Sequence, residues 1–310
     1  MIQERLDTKL IQRIDEIGPF VGNTPLFPIR KAFSKPNVAI YAKLEWQQLG
    51  SSVKARPAYN IIRQAVREGY LSEERHLLDA SSGNTAIAYA AIGAAVGIPV
   101  TICIPENASK ERKIILKSFG VDIIFTPAVG EMNEAQDRAK ELALRDPDKY
   151  FYADQYANHH NWQAHYNTTA EEIYRQTDKK ITHFIAGLGT TGTFVGASRK
   201  LHELKAGIQC ISLQPNTALH GLEGWKHLAT ARVPAIYDET VADANLSVDT
   251  MEAYEWVKKV AKDEGLLISP SAAANLLGAV KVANTIEEGV IVTTFADDAS
   301  KYSEVMEELF

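Results

Sequence analysis

Hydrophobic positions along the chain form two kinds of run. Short, nearly unbroken apolar runs are typical of strands buried on both faces, and the longer segments between them repeat apolar residues every three to four positions, as amphipathic helices do. In the stretch 56–68, the residues on one helical face are Ala58, Ile61, Ile62, Ala65 and Val66. Pro57 suits the first turn of that helix, where no backbone N–H is needed, and Gly69 suits the position after its end.

This alternation predicts an α/β fold with mostly parallel sheets that are covered by helices on both faces. The predicted strands are 38–44, 76–78, 100–104, 122–125, 150–152, 182–186, 210–214 and 289–294. The predicted helices are an amphipathic segment within 1–20, followed by 56–68, 85–96, 111–119, 132–144, 162–176, 250–264 and 272–283. Residues 22–26 are predicted as a turn.

The length of 310 residues predicts two domains, and the polar, turn-forming stretch 145–148 is the best candidate boundary. A formal net charge of −6 without a Lys/Arg run gives no basis for binding nucleic acid or an anionic membrane surface. We expect no membrane-spanning helix, because no run of about 18 apolar residues occurs. We also expect no signal peptide, because the N-terminus contains acids and no long apolar core.

Both cysteines, Cys103 and Cys210, lie in apolar, strand-like runs. This setting favours buried core thiols over a disulfide or a nucleophile. Reduced thiols in turn predict a cytoplasmic location.

The stretch 50–57 contains the strongest candidate for covalent chemistry. Lys54 lies between a predicted strand and a predicted helix, at the kind of turn where α/β folds place their ligands. A lysine that is partly stripped of water there has a lowered pKa and can form a Schiff base with a carbonyl cofactor. A solvated surface lysine is the more common outcome for such a position alone, so its meaning depends on the other motifs.

Two further stretches that follow predicted strands are rich in small and hydroxyl residues, and the first of them also opens a predicted helix. Residues 81–85 are Ser-Ser-Gly-Asn-Thr, and the backbone N–H groups at such a helix start attract a carboxylate or phosphate, with an ordinary N-cap as the alternative. Residues 187–193 are Gly-Leu-Gly-Thr-Thr-Gly-Thr. The three glycines allow several N–H groups to converge, which favours a monophosphate over a dinucleotide, and the Gly-Lys-Ser/Thr of a Walker loop is missing.

The remaining polar motifs give weaker signals. Ser269 and Ser271 precede a helix of small residues, but no G-x-S-x-G elbow supports a serine hydrolase. No metal site is predicted, because neither H-E-x-x-H nor paired Cys/His spacing occurs. His165, at helical spacing from Trp162 and Thr169, is interpreted as an interior hydrogen-bonding group rather than a metal ligand.

Taken in order, these stretches resemble pyridoxal-phosphate (PLP) enzymes of the tryptophan synthase β-chain fold type, specifically the cysteine synthase/cystathionine β-synthase family. Cysteine synthase B and O-phosphoserine sulfhydrylase are the members that the chain is most similar to. The resemblance extends from 22–26 to 298–302. Its most specific pieces are Ser52-x-Lys54-x-Arg56-Pro57, Ser82-Gly83-Asn84-Thr85, Gly189-Thr190-Thr191-Gly192-Thr193, and Gln155-Tyr156-x-Asn158 followed by His165 and Thr168-Thr169.

The resemblance implies a role for each matching residue. Lys54 would be the catalytic residue, which carries PLP as a Schiff base and later moves the Cα proton. Asn84 would hydrogen-bond the PLP ring hydroxyl, and Ser271 would face the pyridine nitrogen, with Ser269 as the alternative. The residues implied for the cofactor phosphate are Gly189, Thr190, Thr191, Gly192 and Thr193. Those implied for the amino-acid substrate are Ser81, Ser82, Gly83, Thr85 and Gln155.

The reaction implied by the resemblance is β-replacement. An activated serine, either O-acetylserine or O-phosphoserine, would give an enzyme-bound aminoacrylate, to which sulfide or a thiol donor adds to form L-cysteine. A neutral serine beside the pyridine nitrogen fits this reaction, because it does not keep that nitrogen protonated and makes the cofactor a weaker electron sink than a carboxylate partner would.

The resemblance also implies an organisation of the chain. Each of two domains would be a three-layer αβα structure with a mostly parallel sheet, as in fold type II PLP enzymes, and PLP would lie in the cleft between them. A smaller, mobile, substrate-binding domain would cover 38–153, and a larger PLP-binding domain would cover 14–37 plus 154–310. A homodimer is expected on the same basis.

Several positions depart from the family pattern. Residues 48–51, Gln-Leu-Gly-Ser, replace the common Asn-Pro-Thr-Gly, and Ala55 replaces the usual Asp. The sequence of 189–193 resembles phosphoserine-using members, whereas Gln214-Pro215-Asn216 lacks the arginine that those members use for the substrate phosphate. Lys226 and His227 are candidates to replace that arginine, with a solvated surface as the alternative.

The serine donor and the sulfur acceptor are therefore open at this point. Within the enzyme family, the alternatives are a cystathionine β-synthase, another β-substituted alanine synthase, and a serine or threonine deaminase. Outside enzymes, the alternative is a PLP-binding protein that acts through a partner.

Overall fold

Helices and strands alternate along residues 8–310, the part of the chain that the computed structural model describes. The strands are β1 (Leu26–Ile29), β2 (Val38–Leu44), β3 (His76–Ala80), β4 (Val100–Pro105), β5 (Asp122–Thr126), β6 (Tyr150–Tyr152), β7 (His183–Gly187), β8 (Gln209–Pro215), β9 (Ala244–Val248) and β10 (Gly289–Phe295). The α-helices are α1 (Thr8–Ile17), α2 (Ala55–Arg67), α3 (Asn84–Val96), α4 (Lys110–Ser118), α5 (Glu131–Arg145), α6 (His159–Ala164), α7 (Ala170–Gln176), α8 (Gly192–Leu204), α9 (Thr250–Glu264), α10 (Pro270–Thr285) and α11 (Ser303–Leu309). Short 3₁₀ segments cover Gly18–Phe20, Ala128–Gly130, Glu239–Val241 and Ala299–Lys301, and a π-helical turn covers His165–Thr169.

These elements belong to two compact units. The first contains residues 8–22 and Gln48–Asn161, and the second contains Asn23–Gln47 and Trp162–Phe310. The predicted smaller domain, 38–153, includes β2, whereas the structure pairs β2 with β1 and β10 in the sheet of the second unit. Helix α1 belongs to the first unit, although the prediction assigned its end to the larger domain. The substrate-binding and PLP-binding roles of the two domains stay predictions.

The sheet of the first unit has four parallel strands in the order β5-β4-β3-β6. Consecutive residues of a strand face opposite sides, so β3 contributes to two hydrophobic clusters. Leu77 packs in a cluster with Ile61 and Ile62 of α2 and residues of α3. Leu78 packs on the other side with Ala135 and Ala139 of α5. Helices therefore cover both faces, as the unbroken apolar strands predict.

The sheet of the second unit has six strands in the order β1-β2-β10-β7-β8-β9. Only the β1–β2 pair is antiparallel among these described strands. Ile291 of β10 packs in a cluster with α9 and α10, whereas its neighbour Val292 packs with Phe184 and Phe194 on the opposite face. This arrangement confirms the predicted α/β class with mostly parallel sheets.

The structure contains every predicted strand and adds elements that the pattern did not indicate. Strand β1 lies at a sheet edge and contains Pro28, which central strands exclude, and the residues of β9 are mostly exposed. Helices α8 and α11 were also not predicted. The predicted helix 162–176 is interrupted by the π-helical turn, and the predicted turn 22–26 ends where β1 begins at Leu26. The first part of the predicted N-terminal helix, 1–7, lies outside the described residues.

The burial of both thiols agrees with the prediction. Cys103 and Cys210 are free cysteines with no exposed surface. Burial raises the pKa of each thiol to about 12, so both stay protonated at neutral pH. Within residues 8–310, the helices lack the combination of length and apolar character that crossing a membrane requires.

A buried ion pair holds the segment that precedes β1. The ammonium group of Lys43 is fully buried on β2 and lies 2.7 Å from Oε2 of Glu172 on α7. It also donates to the Thr24 carbonyl at 2.8 Å and to Oε1 of Gln176 at 3.1 Å. The other oxygen of Glu172 accepts the backbone N–H of Asn23 at 2.8 Å. One lysine and one glutamate therefore connect three segments of the second unit.

We predict that Glu172→Gln destabilises the second unit by about 3–5 kcal/mol, because it removes the carboxylate that lies 2.7 Å from the fully buried Lys43 ammonium. Urea unfolding followed by tryptophan fluorescence measures this effect selectively, since all four tryptophans belong to that unit: Trp46, Trp162, Trp225 and Trp256. The matched control is Glu171→Gln. The Glu171 carboxylate is about half exposed, pairs with Lys200 at 3.3 Å, and should contribute less than about 1 kcal/mol. Equal unfolding midpoints for the two variants would contradict the prediction.

Candidate functional site

Lys54 lies in a tight turn directly before α2. Gly50 has a left-handed φ of 84°, and a Cβ there would lie only 3.3 Å from Cα of Ala88 on α3, so glycine is required. The Lys54 N–H donates to Oγ of buried Ser52 at 3.3 Å, and its carbonyl accepts the N–H of Ala58 at 3.1 Å. The turn thus fixes the half-buried Lys54 at the start of the helix, as the sequence predicts.

The unusual Gln48 has a structural role in this turn. Its Oε1 accepts the N–H of Gly22 at 2.8 Å, and its Nε2 donates to the carbonyl of Ser52 at 3.2 Å. Ala55, the second departure, is fully buried next to Gly50. Both departures from the family pattern are therefore accommodated within the same turn.

The predicted substrate-binding residues of the first unit meet at the ends of β3 and β6. Oγ of Ser81 accepts the N–H groups of Gly83 and Ala86 at 3.3 Å each and so caps α3. The Thr85 hydroxyl donates to Oε1 of Gln155 at 2.7 Å, and Gln155 Nε2 donates to the Ala80 carbonyl at 3.0 Å. A Cβ on Gly83 would meet no described atom within 4 Å. Ser82 and Asn84 are only partly buried in the same turn, so the chain leaves open space beside Gly83.

Asp79 belongs to the same group of residues, although the sequence analysis did not single it out. It lies on β3 two residues before Ser81 and is fully buried. Its Oδ1 accepts the Ala80 N–H at 2.8 Å, and its Oδ2 accepts the Gln155 N–H at 3.3 Å. Burial raises the pKa of Asp79 to about 7. The signal that would have found it is an acid within an apolar, doubly buried strand.

The loop between β7 and α8 contains the predicted phosphate residues of the second unit. Thr191 immediately precedes α8 and has a φ of 71°, a left-handed conformation that is rare for a β-branched residue. Its side chain is buried, and its Oγ1 has no hydrogen-bond partner among the described residues. A buried hydroxyl at a helix N-terminus fits a bound phosphate, whose oxygens accept hydrogen bonds and are favoured by the helix dipole.

Packing explains two of the loop's glycines. A Cβ on Gly187 would overlap the ring of Trp225, and a Cβ on Gly189 would overlap the carbonyl of Gly224. The N–H of Lys226 also donates to the Leu188 carbonyl at 2.7 Å. The segment 224–226 therefore covers the loop directly, and these two glycines are needed for that contact whatever their role toward a phosphate.

Helix α10 places Ser271 near this loop. Ser269 is the N-cap of α10, because its Oγ accepts the Ala272 N–H at 3.2 Å, and it lies 3.1 Å from Oγ of Ser271. One turn later, Asn275 accepts the Gly187 N–H at 2.8 Å and donates to the Thr294 carbonyl at 2.7 Å. Since capping already engages Ser269, the structure favours Ser271 over Ser269 for contact with a ligand.

His165 is an interior hydrogen-bonding residue, as predicted. It lies in the π-helical turn and is almost fully buried. Its Nδ1 is 2.9 Å from Oγ1 of Thr169, and its Nε2 is 3.2 Å from Oγ1 of Thr193. The histidine therefore orients the last threonine of the loop.

Basic groups cluster in the segment after β8. Burial, and then the charge of Arg232, lowers the pKa of Lys226. Burial, and then His227, lowers the pKa of His220. The influence of Arg232 on Lys226 places these two cations close together, so residues 226–232 form a cationic segment that adjoins the glycine loop. Such a segment favours an anion over a neutral ligand.

One group of possible metal donors occurs in the second unit. A nitrogen of His202, the sulfur of Cys210 and an oxygen of Asp243 lie within 4.8 Å of one another. Asp243 Oδ2 is already 3.0 Å from His202 Nε2 and accepts the Cys210 N–H at 2.7 Å. These contacts already engage the Asp243 carboxylate, so they favour a hydrogen-bonded link over a metal centre.

The predicted site residues thus form two local groups. Lys54, the turn 81–85 and Gln155 belong to the first unit, whereas the loop 187–193 and Ser271 belong to the second. Each group combines polar side chains with a helix N-terminus, the arrangement that binds anions.

Comparison with known proteins relates this chain to a single family. A family model described as pyridoxal-phosphate dependent enzyme matches residues 17–297. The chain is 42% identical over 295 residues to a cysteine synthase of Aquifex aeolicus, covering 93% of this chain and 90% of that protein. It is 32% identical over 284 residues to cysteine synthase B of Escherichia coli, covering 91% and 92%.

Solved structures agree with this relationship. A cysteine synthase of Entamoeba histolytica superimposes with a TM-score of 0.87 at 28% identity, covering 100% of this chain and 97% of that one. An O-acetylserine-dependent cystathionine β-synthase of Helicobacter pylori superimposes with a TM-score of 0.86 at 30% identity, covering 93% and 96%. With a family model that spans most of its length, the chain belongs to the pyridoxal-phosphate-dependent enzymes.

Proposed function

We propose that this protein is a PLP-dependent cysteine synthase, which forms L-cysteine from an activated serine and sulfide or a thiol donor. The observation that supports this most strongly is the match to cysteine synthases over more than nine-tenths of the chain, at 42% identity. The local geometry of both groups of site residues is compatible with it. PLP bound to the chain would supply a Schiff base and an electron sink for β-replacement.

Lys54 is proposed to hold the cofactor and then to move the proton at the substrate Cα. Its backbone is fixed at the start of α2, which presents the same side chain for both tasks. We assign the cofactor phosphate to 189–193, supported by the unpartnered, buried Thr191 hydroxyl at the start of α8. Asn84 and Ser271 are proposed to contact the cofactor ring.

The substrate carboxylate is proposed to bind at 81–85 and Gln155. Three features support this assignment: the N-terminus of α3, the open space beside Gly83, and a Gln155 side chain that Thr85 and Ala80 hold in one orientation. Gln155 Nε2 has two hydrogens, and the Ala80 carbonyl takes one of them. The second is available to a carboxylate oxygen.

The serine donor is proposed to be an ester with an acyl or phosphoryl leaving group. The cationic segment around Lys226 supports O-phosphoserine, because a phosphate dianion gains more from nearby positive charge than a neutral acetyl group does. The E. coli and A. aeolicus relatives are described only as cysteine synthases, so the choice is left to experiment. A homodimer and a cytoplasmic location complete the proposal, the latter supported by two free thiols.

Thr191→Gly tests the assignment of the phosphate. The substitution relieves the left-handed backbone, so the apoprotein should melt at an equal or higher temperature. Loss of the hydroxyl should weaken PLP binding about tenfold or more, as expected for a hydrogen bond to a charged group, and reduce the rise in Tm that PLP produces. Lys179→Gly is the matched control, because Lys179 is exposed and has a similar φ of 63°. An unchanged PLP-induced rise in Thr191→Gly would exclude Thr191 from the phosphate site.

Lys54→Ala tests the reaction itself. The variant should lose the visible absorbance of lysine-bound PLP and all cysteine formation, because no other amine replaces the Schiff-base partner. Lys110→Ala, which removes an exposed lysine at the start of α4, should keep both properties.

Assays with each serine ester then identify the donor. The wild-type protein receives O-acetylserine or O-phosphoserine with sulfide, and cysteine is quantified. If O-phosphoserine is the donor, Lys226→Ala should raise its KM about tenfold and leave the low activity with O-acetylserine unchanged. A visible band that neither ester alters would overturn cysteine synthesis and favour a PLP protein that acts through a partner.

A further inference from the structure

Asp79 is a buried acid whose surroundings are mostly unable to neutralise its charge. Both carboxylate oxygens accept backbone N–H groups, from Ala80 and Gln155. The titratable groups that face it are the phenols of Tyr89 on α3, Tyr152 on β6 and Tyr156 after β6, the acid Asp154, and the thiol of Cys103 on β4. The Tyr89 hydroxyl makes no hydrogen bond of ordinary geometry to a described residue.

Asp79 also connects the two segments to which we assign the substrate carboxylate. It lies on β3 immediately before the turn 81–85, and it holds the backbone N–H of Gln155. Gln155 in turn binds Thr85 and Ala80 through its side chain. A change in the charge of Asp79 therefore acts on both segments.

A substrate carboxylate bound there would add a negative charge beside two acids, Asp79 and Asp154. A like charge disfavours the ionised form of a buried carboxyl. Asp79 is the acid that is more easily protonated at neutral pH, because burial already places its pKa near neutrality. Burial also raises the pKa of Asp154, but this residue is only partly buried, and the backbone N–H groups of Tyr156 and Ala157 partly offset the shift.

We propose that Asp79 is a positioning residue of the amino-acid site, which takes up a proton from solvent when the substrate carboxylate binds at 81–85 and Gln155. This inference rests on the proposed position of that carboxylate. The proton adds to one Asp79 oxygen, and the other oxygen continues to hold the Gln155 N–H. Substrate binding then becomes weaker as the pH rises above neutrality, because proton uptake is less favourable at a lower proton concentration.

The test uses the PLP-loaded protein and L-alanine, which has no leaving group at Cβ. The change in the visible band of the cofactor gives the affinity of the protein for L-alanine between pH 6 and pH 8.5. Calorimetry in two buffers of different ionisation enthalpy gives the number of protons exchanged on binding. The α-amino group of L-alanine and Lys54 contribute the same number of exchanged protons in every variant, so their contribution cancels when variants are compared. Relative to Asp79→Asn, the wild type should take up more protons, and its affinity should fall about three- to tenfold more over this pH range. Asp122→Asn, at an exposed position on β5, should behave like the wild type.

Asp154→Asn keeps the inference testable if Asp79→Asn does not fold. Asp154 has a φ of 42°, which asparagine tolerates well. Removing this acid should favour ionisation of Asp79, so the pH dependence should persist but move to lower pH. Loss of the pH dependence in Asp154→Asn would identify Asp154 as the titrating group and overturn the inference.

Two results separate the inference from the function on which it rests. If L-alanine alters the band but the wild type and Asp79→Asn exchange equal numbers of protons, Asp79 has a structural role only. If L-alanine leaves the band of the wild type unchanged, the proposed amino-acid site is wrong, and the inference fails with it.

Discussion

Parallel strands all end at the same edge of their sheet, and the candidate chemistry of this protein depends on that constraint. In the first unit, β3 and β6 are neighbours, so the turn after β3 and the residue Gln155 after β6 meet although 70 residues separate Thr85 from Gln155. In the second unit, the loop after β7 meets the segment after β8, where Lys226 binds the Leu188 carbonyl. Helices begin at these edges, and their first backbone N–H groups have no acceptor within the helix.

Both units contain buried ionisable groups, and two of them, Lys43 and Asp79, are stabilised differently. Lys43 faces a carboxylate at 2.7 Å and several carbonyl acceptors, so its charge is neutralised within the folded chain. Asp79 accepts backbone N–H groups from Ala80 and Gln155 but is fully buried beside a second acid, which leaves its charge poorly balanced. An ion pair keeps both of its charges over a wide pH range. A poorly stabilised acid whose pKa is near neutrality instead changes its protonation state when another charge binds nearby.

The elements that the sequence predicts are those with a strong local signal. Strands such as β4 are buried on both faces, so their side chains form unbroken apolar runs, and α2 has a regular apolar face. Strand β9 is mostly exposed at a sheet edge, and its partner β8 rather than its own composition makes it a strand. The sequence pattern also does not predict the boundary between the units, because β2 joins the second unit through its pairing with β10, about 250 residues later.

The candidate site likewise contains features that a local pattern predicts and features that depend on distant contacts. Glycines and hydroxyl residues after strands indicate where anions bind, since these residue types act through local backbone geometry. The contacts of Asp79 with Gln155 and of His165 with Thr193 join residues that are distant in the sequence, so no local pattern predicts these contacts. Tyr89, Tyr152 and Tyr156 surround Asp79 from three segments that only the folded sheet brings together.

The departures around Lys54 bear on whether the chain is a working enzyme. If the substitutions had loosened this turn, its unusual residues would make no specific contacts. Instead Gln48 binds both Gly22 and Ser52, and Ala55 fits a fully buried position against Gly50, where the larger, charged Asp of the family pattern would need a countercharge. The substitutions therefore preserve, by other contacts, the turn that holds Lys54 at the start of α2, the position on which its proposed chemistry depends.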